Sequence, residues 1–106
     1  MKKPMRTLKF QGDITLDEVF NHHKRVIFEN LISSIEGVYE DSKKVETTIV
    51  KISINDDVYT INLSQEKFID GLQKAIAFYE DLEEYEQCAK CLKMINSIKS
   101  KKMEVN

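Results

Sequence analysis

Cys88-Ala89-Lys90-Cys91 is the first segment of this 106-residue chain whose residue types and spacing could do chemistry. Two thiols three residues apart serve redox exchange when they sit at a helix N-terminus after a strand, where the helix dipole lowers the thiol pKa. Here the motif is expected in mid-helix and follows Glu83, Glu84 and Glu86, whose charge would raise that pKa. Zinc would need two further ligands. His22 and His23 are the only histidines, and adjacent helical residues point about 100° apart, so both do not easily converge on one metal. One histidine with an acid, or two chains sharing the ion, would be needed. The favoured reading is two small apolar side chains in a helix–helix seam.

General-base chemistry at His22-His23 lacks a recognisable nucleophile and an orienting acid in the sequence. His23 falls on an apolar stripe and reads as a hydrogen-bonded core or boundary residue. Gly12, Gly37 and Gly71 are isolated and make no phosphate-binding fingerprint. No catalytic, cofactor-binding or metal-ligating residue is therefore assigned, and the chain is expected not to be an enzyme.

The elements that carry these residues follow from periodicity. Thr7-Leu8-Lys9-Phe10 can make a short strand with Leu8 and Phe10 on one face. Thr15 with Glu18 three residues on is a capping box, and Ile14 with Val19 is a hydrophobic staple. Leu16, Phe20, His23, Ile27, Leu31, Ile35 and Val38 then step by three and four, predicting one long helix that Gly37 ends. Residues 41–44 read as a loop.

A hairpin follows, with Val50, Ile52 and Ile54 alternating against Tyr59, Ile61 and Leu63. A turn at Asp56-Asp57 pairs Ile54 with Tyr59, whereas one at Asn55-Asp56 shifts the register by two and leaves every side chain on the same face. Ser64 is expected to cap a second helix with the stripe Phe68, Leu72, Ala75 or Ile76, and Tyr79. Gly71 inside it costs about 1 kcal/mol unless close packing requires it. Asp81 reads as a break and new N-cap, starting a third helix with Tyr85, Cys88, Leu92, Ile95 and Ile98 on one side. That helix is expected to fray into the lysines at 99–102.

The fold class predicted is α+β, in the order (β)-α-β-β-α-α. A small antiparallel sheet, made of the central hairpin and the N-terminal strand if it forms, is packed by one long helix and a C-terminal helical hairpin. Residues 1–12 are a basic arm or short strand, 13–100 one domain, and 101–106 a frayed basic tail. At 12.4 kDa such a chain buries about two-thirds of its unfolded surface. Its 42% apolar and 32% charged residues fit a globular protein. No apolar run is long enough to span a membrane, and no apolar segment follows the basic N-terminus as in a signal peptide. With two cysteines and no disulfide scaffold, a reducing, cytoplasmic location is expected, in a bacterium or an infected host cell.

Net charge is −2, but it is segregated. Lys2, Lys3, Arg6 and Lys9 precede any acid, the acids Glu80, Asp81, Glu83, Glu84 and Glu86 cluster, and Lys99, Lys101 and Lys102 lie near the end. The segment from Leu72 to Ile98 resembles the UVR motif, the helical hairpin of nucleotide-excision-repair nuclease subunits and some Clp-protease adaptors. Leu72, Ala75-Ile76, Tyr85-Glu86-Gln87-Cys88-Ala89, Ile95 and Ile98 carry the resemblance, and Cys91-Leu92-Lys93 stands where that family has Leu-Arg-Asp. The resemblance implies a protein-docking hairpin. In its Lys- and Ile-rich style the chain also resembles accessory proteins of phages and mobile elements.

The expected function is a small non-enzymatic protein–protein interaction module, an adaptor or inhibitor such as a phage-encoded host-takeover or anti-defence factor. Its contact surfaces are expected on the wet face of the hairpin (Lys51, Ser53, Thr60, Asn62) and at the acidic residues 80–86. A self-assembling component, homodimeric in the simplest case, is the second expectation. Nucleic-acid binding through the basic termini is the third, and no membrane partner is expected.

Overall fold

The computed structural model describes residues 7–41, 43 and 45–104, the last four as helix backbone. Strand β1 (Thr7–Phe10) is followed by α1 (Leu16–His22) and α2 (Lys24–Glu36), and then by β2 (Glu46–Ile54) and β3 (Asp57–Ser64). A 3-10 turn over Gln65–Lys67 leads into α3 (Phe68–Asp81) and α4 (Tyr85–Glu104). The fold is α+β, with the sheet order β1-β2-β3. The basic arm expected over residues 1–6 and the side chains of Lys101 and Lys102 in the expected basic tail lie outside the described residues.

The sheet is mixed. β2 and β3 form the expected antiparallel hairpin, while β1 lies parallel to β2, with Leu8 opposite Ile52 and Phe10 opposite Ile54. Parallel neighbours cannot be joined by a tight turn, and α1 with α2 supplies the crossover. The hairpin turns at Asn55-Asp56, which gives the shifted register: Ile54 faces Asp57, Ile52 faces Tyr59, and Val50 faces Ile61. Both turn residues have positive φ, 49° and 72°, the backbone that a two-residue type I′ turn demands. Asn55 does a second job. Its side chain accepts from the Gly12 amide at 2.9 Å and donates to the Gly12 carbonyl at 2.8 Å, fastening the end of β1 to the turn.

A bulge lies between Thr48 and Val50. Ile49 and Val50 are consecutive and both buried, which a regular pleat would forbid. The Ser34 hydroxyl of α2 donates to the Thr48 carbonyl at 3.0 Å, so the helix meets the strand at this irregularity.

The expected single long helix is broken at His23. Its backbone leaves helical geometry (φ −128°, ψ 35°), yet its amide still donates to the Val19 carbonyl and its carbonyl accepts from Ile27. Neither Pro nor Gly causes this. The His23 ring lies 5.0 Å from that of Phe10 in β1, a tertiary contact at the bend. Thr15 caps α1 as expected, accepting from the Glu18 amide at 3.2 Å.

Gly71 explains itself here. A Cβ added to it would stand 3.1 Å from Leu31 Cδ1 and 3.3 Å from Leu63 Cδ2, so α2, β3 and α3 converge where a side chain fits only if these leucines give way. The expected α3 stripe is buried: Phe68, Leu72, Ala75 and Tyr79. Ser64 is extended ahead of the 3-10 turn, and its side chain makes no capping bond.

Asp81 is not a break but the last residue of α3. The turn is a Schellman motif. The Glu84 amide donates to the Tyr79 carbonyl and the Glu83 amide to the Glu80 carbonyl, with Glu83 at φ 59°. The core side of α4 is also rotated from expectation. Cys91, Met94, Ile95 and Ile98 are buried, whereas Tyr85 and Leu92 are 62% and 52% exposed. Cys91, Ile95 and Ile98 step by three and four as the expected Tyr85, Cys88, Leu92, Ile95 and Ile98 do, so periodicity alone could not choose between them. The helix backbone continues to Glu104, past the lysines where fraying was expected.

Candidate interaction site

The open side of the sheet is built by alternation. Since Val50, Ile52 and Ile54 point into the core, Lys51 and Ser53 must point the other way. Thr60 lies opposite Lys51 and Val58 opposite Ser53. Asn62 lies opposite Thr48, whose hydroxyl donates to the Asn62 side-chain oxygen at 2.8 Å. All four residues expected on the wet face of the hairpin therefore share one surface. Lys51, Thr60 and Asn62 are exposed and Ser53 is half-buried.

β1 extends that surface. Thr7 pairs with Lys51 and Lys9 with Ser53, adding a second ammonium to the same face. The signal for Lys9 was present in the alternation of Thr7-Leu8-Lys9-Phe10, but its parallel pairing depends on the crossover and is not local. Val58 was also missed: it is 62% exposed among these polar neighbours. The result is an open face across three strands, with two lysines, hydroxyl and amide groups, and one apolar side chain.

The acidic residues form a separate feature on the helical side. Glu80 and Asp81 end α3, Glu83 and Glu84 make the turn, and Glu86 lies in the first turn of α4. Glu84 is engaged by Arg25 at the start of α2, with Arg25 Nη1 donating to Oε1 at 3.0 Å and Nη2 to Oε2. That hydrogen-bonded charge pair holds the Glu84 carboxyl below the usual carboxylate range. Glu36 at the other end of α2 pairs with Lys90 of α4 at 3.2 Å. Glu80, Asp81, Glu83 and Glu86 remain exposed around Leu82 and Tyr85.

The cysteines lie in the α3–α4 seam. Cys91 is fully buried, and burial pushes its thiol up to about 11. Cys88 is half-buried, its thiol donates to the Ile76 carbonyl at 3.5 Å, and partial burial with nearby Glu80 raises its pKa as well. These thiols resist becoming the thiolates that exchange or metal binding uses. Among the described residues, no three His, Cys, Asp or Glu side chains gather where they could hold a metal ion. Among them, too, no helix is long and apolar enough to cross a membrane.

Comparison with protein-family models, curated proteins and solved structures finds no match to this chain.

Proposed function

We propose that this chain is a small protein–protein interaction module, acting without chemistry of its own as an adaptor or inhibitor. The observation that carries the reading is the face of the sheet left open among the described residues. The buried side chains of the sheet meet the helices on one side, while Lys9, Lys51, Val58, Thr60 and Asn62 stand exposed on the other. A sheet held by its own hydrogen bonds presents these groups from a fixed backbone, so little loop ordering is left to oppose binding. Two ammonium groups beside hydroxyls and an amide suit an acidic, hydrogen-bonding protein surface, and Val58 supplies an apolar contact.

The acidic turn is a second contact surface on the opposite layer of the molecule, fit for a basic partner. The resemblance of residues 72–98 to a docking hairpin supports the same class of function. Two free cysteines in a packed seam fit a reducing compartment, in keeping with a cytoplasmic role.

The test is affinity capture from the native host, or from cells infected by its phage, with wild-type bait beside a Lys51→Glu/Thr60→Glu bait. The expected result is a protein retained by the wild type and lost by the variant, with both baits giving the same circular dichroism. Equal retention by both baits would remove the sheet face from the interaction.

A further inference from the structure

We infer that α4 pairs with α4 of a second copy of this chain, antiparallel, with Leu92 on the two-fold axis. Helix α4 carries two stripes. The inner one is spent on the core of its own chain. The outer one is Tyr85, Ala89, Leu92, Asn96 and Lys99, with steps of four, three, four and three. That is the spacing of a helix-packing seam, apolar over Tyr85, Ala89 and Leu92 and polar at Asn96 and Lys99. All five residues are exposed, Tyr85 and Leu92 by more than half. Over its 20 residues the helix is about 30 Å long, enough for four turns of continuous contact.

The charge along α4 identifies the occupant. The turn before the helix and its first turn are acidic, at Glu83 and Glu86, and toward its end it is basic, at Lys99 with Lys101 and Lys102 following in the sequence. Two parallel copies would set acid on acid and lysine on lysine. Two antiparallel copies set each acidic start against the other's basic end, which favours that orientation. With Leu92 meeting Leu92 of the second copy, Tyr85 lies opposite Lys99, and Ala89 falls one residue's rise from Asn96. The outer stripe is thus complementary to itself under a two-fold rotation, as an isologous interface requires. The small Ala89 allows close approach beside the central leucines. The open sheet face takes no part, whereas the acidic turn proposed above as a second contact surface is engaged by this pairing.

Sedimentation of the full chain from about 1 µM to about 1 mM spans the affinities expected of a modest helix pair. The predicted result is a mass that rises with concentration toward twice 12.4 kDa. Leu92→Glu is expected to remain monomeric throughout, with unchanged circular dichroism and with the thermal unfolding of the wild type at dilutions where that is monomeric, because the site is exposed and Glu favours helix. Leu92→Cys, oxidised with glutathione disulfide, is expected to give a covalent dimer through the introduced thiols. A wild type that stays monomeric at every concentration would overturn the proposal. So would a dimer that survives Leu92→Glu.

Discussion

The guanidinium of Arg25 and the carboxylate of Glu84 join through two parallel hydrogen bonds across 59 residues of sequence. The pair ties the start of α2 to the turn between α3 and α4, so the crossover helix and the helical hairpin share a fixed end. Both side chains are partly solvated, and the link is open to screening by salt. Burial contributes little here; bidentate geometry contributes most.

Acid titration should expose this pair. Because Glu84 has its folded pKa lowered, chiefly by the hydrogen bond to Arg25, its contribution is present above the ordinary carboxylate pKa. It fades as pH falls through the lower folded value. Glu84→Gln should flatten that part of the stability profile and leave stability above pH 7 modestly reduced. Urea unfolding across the acid range, at low and high salt, checks both points.

Glu83 holds a left-handed backbone at φ 59° without being glycine. Glu83→Gly should therefore stabilise the chain by about 0.5–1 kcal/mol, since glycine adopts this conformation without a steric penalty. Asp56→Gly in the type I′ turn, at φ 72°, should do the same on a similar scale. Denaturation midpoints report the gains, and the two should add because the sites share no partners.

At Gly71, two effects oppose one another. Alanine gains about 1 kcal/mol of helix propensity but crowds Leu31 and Leu63 at 3.1 and 3.3 Å. Gly71→Ala should lie within about 1 kcal/mol of wild type, and Gly71→Val should lose about 1–3 kcal/mol through overpacking. Leu31→Ala in the same chain should recover part of the valine penalty. A double-mutant cycle by chemical denaturation measures the coupling.

Tyr79 is 1% exposed, and among the described residues its hydroxyl has no hydrogen-bond partner. Burial pushes its pKa up to about 12. Tyr79→Phe should be neutral or stabilising by about 1 kcal/mol, since it removes a desolvated hydroxyl and keeps the ring. The sign with pH follows from the raised value. Stability associated with the neutral phenol is complete below pH 10 and is lost as pH rises toward 12, a loss that Tyr79→Phe abolishes at this position. Alkaline unfolding of the two chains gives the comparison.

What the sequence made legible was whatever depends on periodicity and local capping. The Thr15 cap, the α3 stripe, the facing of the hairpin residues and the separation of Lys51, Ser53, Thr60 and Asn62 from the core all follow from spacing. The rest depends on contacts between distant segments. His23 breaks a helix at a bend where Phe10 meets its ring, and no local breaker announces it. The Schellman turn ends α3 on a glutamate where glycine would have signalled it, so Asp81 drew attention as a false cap. Leu92 and Cys91 fit helical stripes equally well, and only the packing of α4 on α3 decides which is buried. Lys9 joined the open face through a parallel strand that no hairpin rule anticipates.

The central claim is that the uncovered sheet face carries the partner. Backbone amide shifts of the isotope-labelled chain, followed as the captured partner is titrated in, test it most directly. The account predicts perturbations concentrated at Lys9, Lys51, Ser53, Val58, Thr60 and Asn62, with the α3–α4 turn responding only to a separate basic partner. Perturbations confined to the helices, with β1 to β3 unmoved, would contradict it.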